Sequence, residues 1–154
     1  MPVDAEKVLE VVGDAIIVTD TAGRITYWNA AATRIFGFTA EEALGQTMDL
    51  IIPERLRQRH NVGFSRSMET GTTRYGNDLL KVPALHKEGK SLSIAFTIGM
   101  LFGQQGKLSG VVAVIRDESQ RYQDERELRR KLAAFEAETR TGPGGGPPPL
   151  SNTA

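Results

Sequence analysis

The sequence predicts an α+β fold: an antiparallel sheet with its helices gathered on one side. Three observations lead there. Residues 91–101 alternate strictly, with Leu92, Ile94, Phe96, Ile98 and Met100 on one face and Ser91, Ser93, Ala95, Thr97 and Gly99 on the other. That is the period of a strand with one buried face. Apolar runs separated by turn chemistry form two successive hairpins. The helical stripes between them are short, and short helices in succession bury too little to make a bundle.

Taken in order, Ala5, Val8, Leu9 and Val12 recur at helical spacing and predict an amphipathic helix over 3–12, within an N-terminal unit of residues 1–13. Ala15–Thr19 and Arg24–Trp28 are β-branched or aromatic runs around Asp20-Thr21-Ala22-Gly23, a turn in which Gly23 is free to take φ > 0. Asn29 is placed to cap a short helix carrying Ala30, Ala31, Ile35 and Phe36 and stopped by Gly37. Thr39 and Glu42 have the spacing of a capping box, opening a helix of one or two turns that ends at Gly45. Met48, Leu50, Ile51 and Ile52 form an apolar link into the longest helix, Pro53–Thr70. Pro53 suits its first position, Glu54 its positive end, and Gly71 a left-handed C-cap.

Three strands follow. Asp78–Leu85 contains Pro83, which predicts an edge position or a bulge. His86–Lys90 is a hairpin loop with an exposed His86, Ser91–Leu101 is the alternating strand, Gln104-Gln105-Gly106 turns it, and Leu108–Arg116 is the last strand. Residues 118–140 return to helical spacing, with Leu128, Leu132 and Phe135 in a densely charged segment. So narrow a stripe predicts a helix set against a partner. Residues 141–154, rich in Gly and Pro, predict a disordered tail.

Composition narrows the functional classes. The chain has 154 residues, 40% of them hydrophobic and 25% charged, which suits one soluble domain with extensions. Nineteen basic and nineteen acidic residues balance, which argues against a broad nucleic-acid footprint. With no cysteine, disulfides, thiolate metal sites, cysteine nucleophiles and cysteinyl-flavin adducts are excluded. The start lacks the pattern of a secretory signal, and no apolar stretch reaches the roughly 18 residues of a membrane span, so a cytoplasmic protein is expected. No histidine–carboxylate arrangement accompanies Ser91, Ser93 or Thr97, and Glu41-Glu42 reads as helix capping, so no enzyme is expected.

One helix raises a binding question. On Pro53–Thr70, Leu56, His60, Gly63, Phe64 and Ser67 share a face, while Arg55, Arg59 and Arg66 run along one flank. A neutral imidazole on an apolar face, with Gly63 leaving room beside it, suits haem iron; the plain alternative is a histidine bonded to a backbone carbonyl. The arginines suit a carboxylate ligand or simply water. Trp28, Phe96, Ile98 and Met100 have the spacing of core residues or of a pocket lining, and Trp28 is also compatible with flavin stacking.

The run Asp14-Ala15-Ile16-Ile17-Val18-Thr19-Asp20, then Gly23-Arg24-Ile25-Thr26, Asn29-Ala30-Ala31 and Phe36-Gly37, resembles a PAS domain of the S-box type. Lys87-Glu88-Gly89, Gly110 and Asp117-Glu118-Ser119 continue the likeness, which covers roughly residues 5–120. It implies a PAS core at 14–117 with a five-stranded antiparallel sheet whose concave face encloses a ligand or cofactor. It also implies a sensor or interaction role, signalling through terminal helices as a homodimer, toward a downstream signalling protein or transcriptional regulation.

A narrower likeness is to FixL-type haem PAS domains, in which this helix carries the proximal histidine within Arg-His…Arg. Arg59-His60 and Arg66 match, implying His60 on haem iron and Arg66 on a propionate. Phe96-Thr97-Ile98-Gly99 resembles the family's Leu-Ser-Ile-Gly run, implying Phe96 and Ile98 over the gas side, with Leu56 and Phe64 beside His60. The chain departs at Asn77-Asp78-Leu79-Leu80, where oxygen-binding members place arginine or methionine. Nitric oxide, carbon monoxide or a redox change therefore suits it better than oxygen. A haem-based gas or redox sensor is thus the most specific expectation. A flavin or small apolar ligand in the same pocket, and a cofactor-free interaction module, are the alternatives. No output domain fits after Arg140, so the chain is expected to be either a stand-alone PAS protein or a piece of a longer one.

Overall fold

A computed structural model describes residues 2–141; the expected tail lies outside them except for Thr141. The elements are α1 (Ala5–Val11), β1 (Ala15–Asp20), β2 (Ile25–Trp28), α2 (Ala30–Phe36), α3 (Ala40–Ala43), a 3₁₀ turn (Met48–Leu50), α4 (Glu54–Thr70), β3 (Leu80–Leu85), β4 (Ser91–Phe102), a turn (Gln104–Gly106), β5 (Leu108–Asp117) and α5 (Ser119–Thr141). The predicted order holds throughout, and the five strands form one antiparallel sheet in the order β2-β1-β5-β4-β3.

Alternation sets which face is buried. Ala15 and Ile17 of β1, Ile94 and Phe96 of β4, and Ala113 and Ile115 of β5 pack in one cluster with Trp28, Ala32, Phe36, Ala43 and Ile51. Register places Ile115 opposite both Ala15 and Phe96, so the cluster runs straight across the sheet. At the other end of the β1–β5 pairing, opposite Asp20, Gly110 lets the strands approach: a Cβ at that position would collide with the carbonyl oxygen of Thr19. β3 lies at the edge, so Pro83, paired with Ser93, withholds no hydrogen bond from a further strand.

The short helices are fixed by polar atoms. Asn29 is almost fully buried; its Oδ1 accepts from Ile16 N (2.9 Å) and Ala32 N (3.0 Å). Its Nδ2 donates to the carbonyls of Leu9 (2.8 Å) and Asp14 (3.1 Å). One side chain thereby ties α1, β1 and α2 together. Thr39 and Glu42 make the predicted capping box at α3.

Three expectations shift. Pro53 stands one position earlier than expected, as the N-cap of α4, because its ψ of 143° is extended rather than helical. β3 begins at Leu80, two residues later than predicted, after a turn at Gly76. His86 is half-buried rather than exposed: its Nδ1 accepts from Glu88 N (3.0 Å), and its ring fills the space that a side chain at Gly37 would need.

The first compact unit ends at Glu118, and the second begins at Ser119. In α5, Leu128, Leu132 and Phe135 are exposed. No described helix is long and apolar enough to cross a membrane.

Candidate functional site

α4 differs from α2 and α3: none of its seventeen residues is buried. Leu56, Arg57, His60, Phe64, Ser67 and Met68 are half-buried and define its inner face, as the periodicity predicted for Leu56, His60, Phe64 and Ser67. Gly63 instead faces open space. Phe64 meets Gly23 in the β1–β2 turn: a Cβ there would lie 3.4 Å from Phe64 Cε2, and the φ of +85° at that position is what favours glycine. The rings of Phe64 and His60 stack at 6.3 Å, so the turn, the phenyl ring and the imidazole follow one another.

A cavity of about 260 Å³ opens there, walled by Ala22, Gly23, Thr47, Met48, Asp49, His60, Asn61, Phe64 and Ser65. His60 Nδ1 lies 3.3 Å from Asn61 Oδ1. With the proton on Nδ1, as that pairing favours, Nε2 presents a lone pair. Asp49 also lines the cavity, but its Oδ1 is shielded from solvent and has no hydrogen-bond partner. Thr19 Oγ1 is likewise unpartnered, and it lies nearby in the fold. Thr19 is registered with Ile25, and the adjacent Arg24 bridges to Thr47.

The expected site residues divide. His60 and Phe64 share the cavity, and Leu56 lies on the same face of α4. Arg66 is exposed, about 120° around the helix from His60, on a shallow groove lined by Glu54, Arg57, Gln58, Asn61, Val62, Ser65 and Glu69 of the same helix. Phe96 and Ile98 lie on the helix-covered face of the sheet and are half-buried, but they do not wall the cavity. Trp28 is core: it is 3% exposed, tilts against Phe36, and donates Nε1 to Thr33 Oγ1 and the Phe38 carbonyl. Flavin stacking on it is thereby ruled out. Asp49 was missed by the sequence reading. An aspartate interrupting the apolar run Met48-Asp49-Leu50-Ile51-Ile52 was the signal available.

The size of the cavity bears on any cofactor. Water occupies about 30 Å³ per molecule, so 260 Å³ equals about eight or nine waters. A haem or flavin is larger than that and does not fit within the cavity as it stands. The donor chemistry at His60 suits iron, and α4 has no buried residue to hold it in place. Among the described residues no group of three or more His, Cys, Asp or Glu is placed to hold a bare metal ion.

The model of the PAS fold family matches residues 4–117. The chain belongs to the PAS family. It is a PAS sensory signalling domain. The PAS domain is 36% identical over 118 residues to an uncharacterised protein of Azorhizobium caulinodans, covering 76% of this chain and 16% of the relative. It is 29% identical over 127 residues to the sensor protein FixL of Bradyrhizobium diazoefficiens, covering 82% of this chain and 25% of that one. The chain thus spans a quarter or less of these relatives. In architecture it is similar to the PAS domain of a Colwellia psychrerythraea protein, with a TM-score of 0.66 and 24% identity, covering 75% of this chain and 95% of the other.

Proposed function

We propose that this PAS domain is a sensor whose ligand is received under α4 and contacts His60, and that haem held through His60 is its specific form. The observation that supports this is the arrangement of His60: half-buried on the cavity wall, its Nδ1 beside Asn61 Oδ1, its Nε2 turned to other use. An acceptor on one ring nitrogen orients the other toward a metal. Likeness to the sensor protein FixL points the same way. Haem supplies an iron that binds a diatomic gas or exchanges an electron.

The chain's own residues do the rest. Leu56 and Phe64 supply an apolar flank and Arg66 an exposed guanidinium for a carboxylate at the rim, while Phe96 and Ile98, which lie outside the present cavity wall, come to the ligand only if the site enlarges. A change at the ligand that moves α4 loads the sheet, and β5 leads directly into α5. The domain acts in the cytoplasm without catalysis of its own, passing its signal to a downstream protein as a homodimer through its terminal helices.

A second reading, a cofactor-free interaction module, is favoured by exposed Val8 and Val11 on α1 and by the exposed stripe of α5. Purified protein loaded with haem distinguishes the two. The sensor form gives a Soret band in the wild type that is lost or displaced in His60→Ala. A colourless wild type after loading, or an unchanged band in the variant, sinks the haem form.

A further inference from the structure

We propose that α5 pairs with the α5 of a second copy of this chain as a parallel, in-register coiled coil, in which Asp124 and Lys131 of each helix face Arg129 and Glu136 of the other. The proposal rests on the homodimer in the reading above and deepens it by naming one helix, one orientation and one register. It is independent of what His60 holds.

α5 carries a seam. Arg121, Glu125, Leu128, Leu132, Phe135 and Thr139 follow one another at steps of four and three, the spacing that keeps one helix face against another helix. The polar start of the seam is matched on its own helix, where Arg121 Nε lies 3.7 Å from Glu125 Oε2. The apolar part is uncovered: Leu128 is 68% exposed, Leu132 57% and Phe135 64%. Removing these side chains from water supplies the gain on pairing.

The charges beside the seam select what covers it. With Leu128 and Phe135 at heptad position d and Leu132 at a, the g positions are Asp124, Lys131 and Glu138, and the e positions Tyr122, Arg129 and Glu136. In a parallel pair in register, each g residue faces the e residue five positions later in the other helix. Asp124 then meets Arg129, and Lys131 meets Glu136: opposite charges in both cases, and each twice by symmetry. A slip of one heptad sets Asp124 against Glu136, Lys131 against Arg129 and Glu138 against Glu136, like charges throughout. The flanks therefore fit a second copy, and fit it in one register. The apolar layers set the orientation. Parallel helices stack Leu128, Leu132 and Phe135 each on its own counterpart. An antiparallel pair that sets Leu132 against Phe135 leaves Leu128 against Thr139, and one that sets Leu128 against Leu132 leaves Phe135 against Glu125.

The test is sedimentation equilibrium of the full chain over a wide concentration range. The wild type is expected to associate reversibly to a dimer, less tightly at high salt because the charge pairs lie at the surface. Leu132→Asp is expected to be monomeric where the wild type is dimeric. It alters an exposed residue outside the first compact unit, so the denaturant midpoint of the PAS core should not move. Lys131→Glu sets like charge against Glu136 twice per dimer and is expected to weaken association about tenfold. Adding Glu136→Lys restores opposite charge and should return association to within about threefold of the wild type. In an antiparallel pair the same double substitution sets position 131 against Glu138 and position 136 against Arg129, like charges both, and weakens association further. A monomeric wild type, a dimer that survives Leu132→Asp unchanged, or a double variant weaker than Lys131→Glu alone each overturns the proposal. A dimer insensitive to Leu132→Asp leaves dimerisation through α1 standing, so failure here is distinct from failure of the homodimer itself. The haem reading is judged separately, by a Soret band that these variants should leave unchanged.

Discussion

The two sides of this domain are built to different standards. In α2, Ala31, Ala32 and Phe36 are wholly buried, and its N-terminus is fixed by the buried Asn29. α4 is more than twice as long and buries nothing completely; its inner face rests on a turn glycine and a cavity of mixed lining. The difference teaches where each job is done. The α2–α3 side is frame, close-packed and satisfied. The α4 side is left incomplete, with unpartnered oxygens at Asp49 and Thr19. Low-stability elements are where ligand-responsive motion is found, because they open at little free-energy cost.

Truncating one phenylalanine on each side gives the largest test. Phe36→Ala opens a cavity in a closed core and is expected to cost about 3–5 kcal/mol. Phe64→Ala removes a half-exposed ring and is expected to cost about 1–2 kcal/mol, while altering any ligand binding under α4. Denaturant midpoints of the two variants measure this. Equal losses would erase the contrast and place α4 within the core.

Much of the frame was legible in the sequence because its signals are local. The caps at Asn29 and Thr39, the alternation of β4 and the edge proline each depend on residues within a few positions. What was not legible depends on distance along the chain. The other three bonds of Asn29 reach residues 13, 15 and 20 positions away, and the contact of His86 with Gly37 joins a hairpin loop to a helix end. At the candidate site, periodicity gave the face that carries His60 and Phe64. It could not show that Gly63 faces open space and that Phe64 meets Gly23, nor that Phe96 and Ile98 stand apart from the cavity wall. Those follow from how the β1–β2 turn meets α4, which no local pattern encodes.

α1 is an intermediate case, and pH sharpens it. Tyr27 donates its hydroxyl to Glu10 Oε2 at 2.7 Å, joining β2 to α1. Burial, then this bond and the negative charge of Glu10 and Glu6, push the Tyr27 phenol up to about 12 from 10. The folded state therefore favours the neutral phenol. Its contribution to stability is complete below pH 10 and is lost as pH rises from 10 toward 12. Titrating tyrosinate absorbance should show one late-ionising tyrosine, and Glu10→Gln should bring it earlier without restoring the ordinary value, because burial remains. Tyr27→Phe should cost about 1 kcal/mol and should weaken hydrogen-exchange protection in α1. Three tyrosines titrating together would mean that α1 is not held by this bond.

The smallest effect tests α4 from its outer side. Gly63 has helical neighbours, and a Cβ there meets nothing within 4 Å. Gly63→Ala removes the backbone freedom of glycine from the middle of a helix without touching the cavity, which should favour helix by about 0.5–1 kcal/mol. Where that gain appears is the informative part. If α4 opens separately from the frame, amide exchange slows within α4 by a few-fold, while the most protected amides of β1 and β5, which exchange by global unfolding, move only as far as the denaturant midpoint does. If α4 exchanges at the same rate as those strand amides both before and after the substitution, it unfolds together with the frame. The helix over His60 would then be as fixed as α2, and any ligand larger than the present cavity would have to open the whole domain to enter.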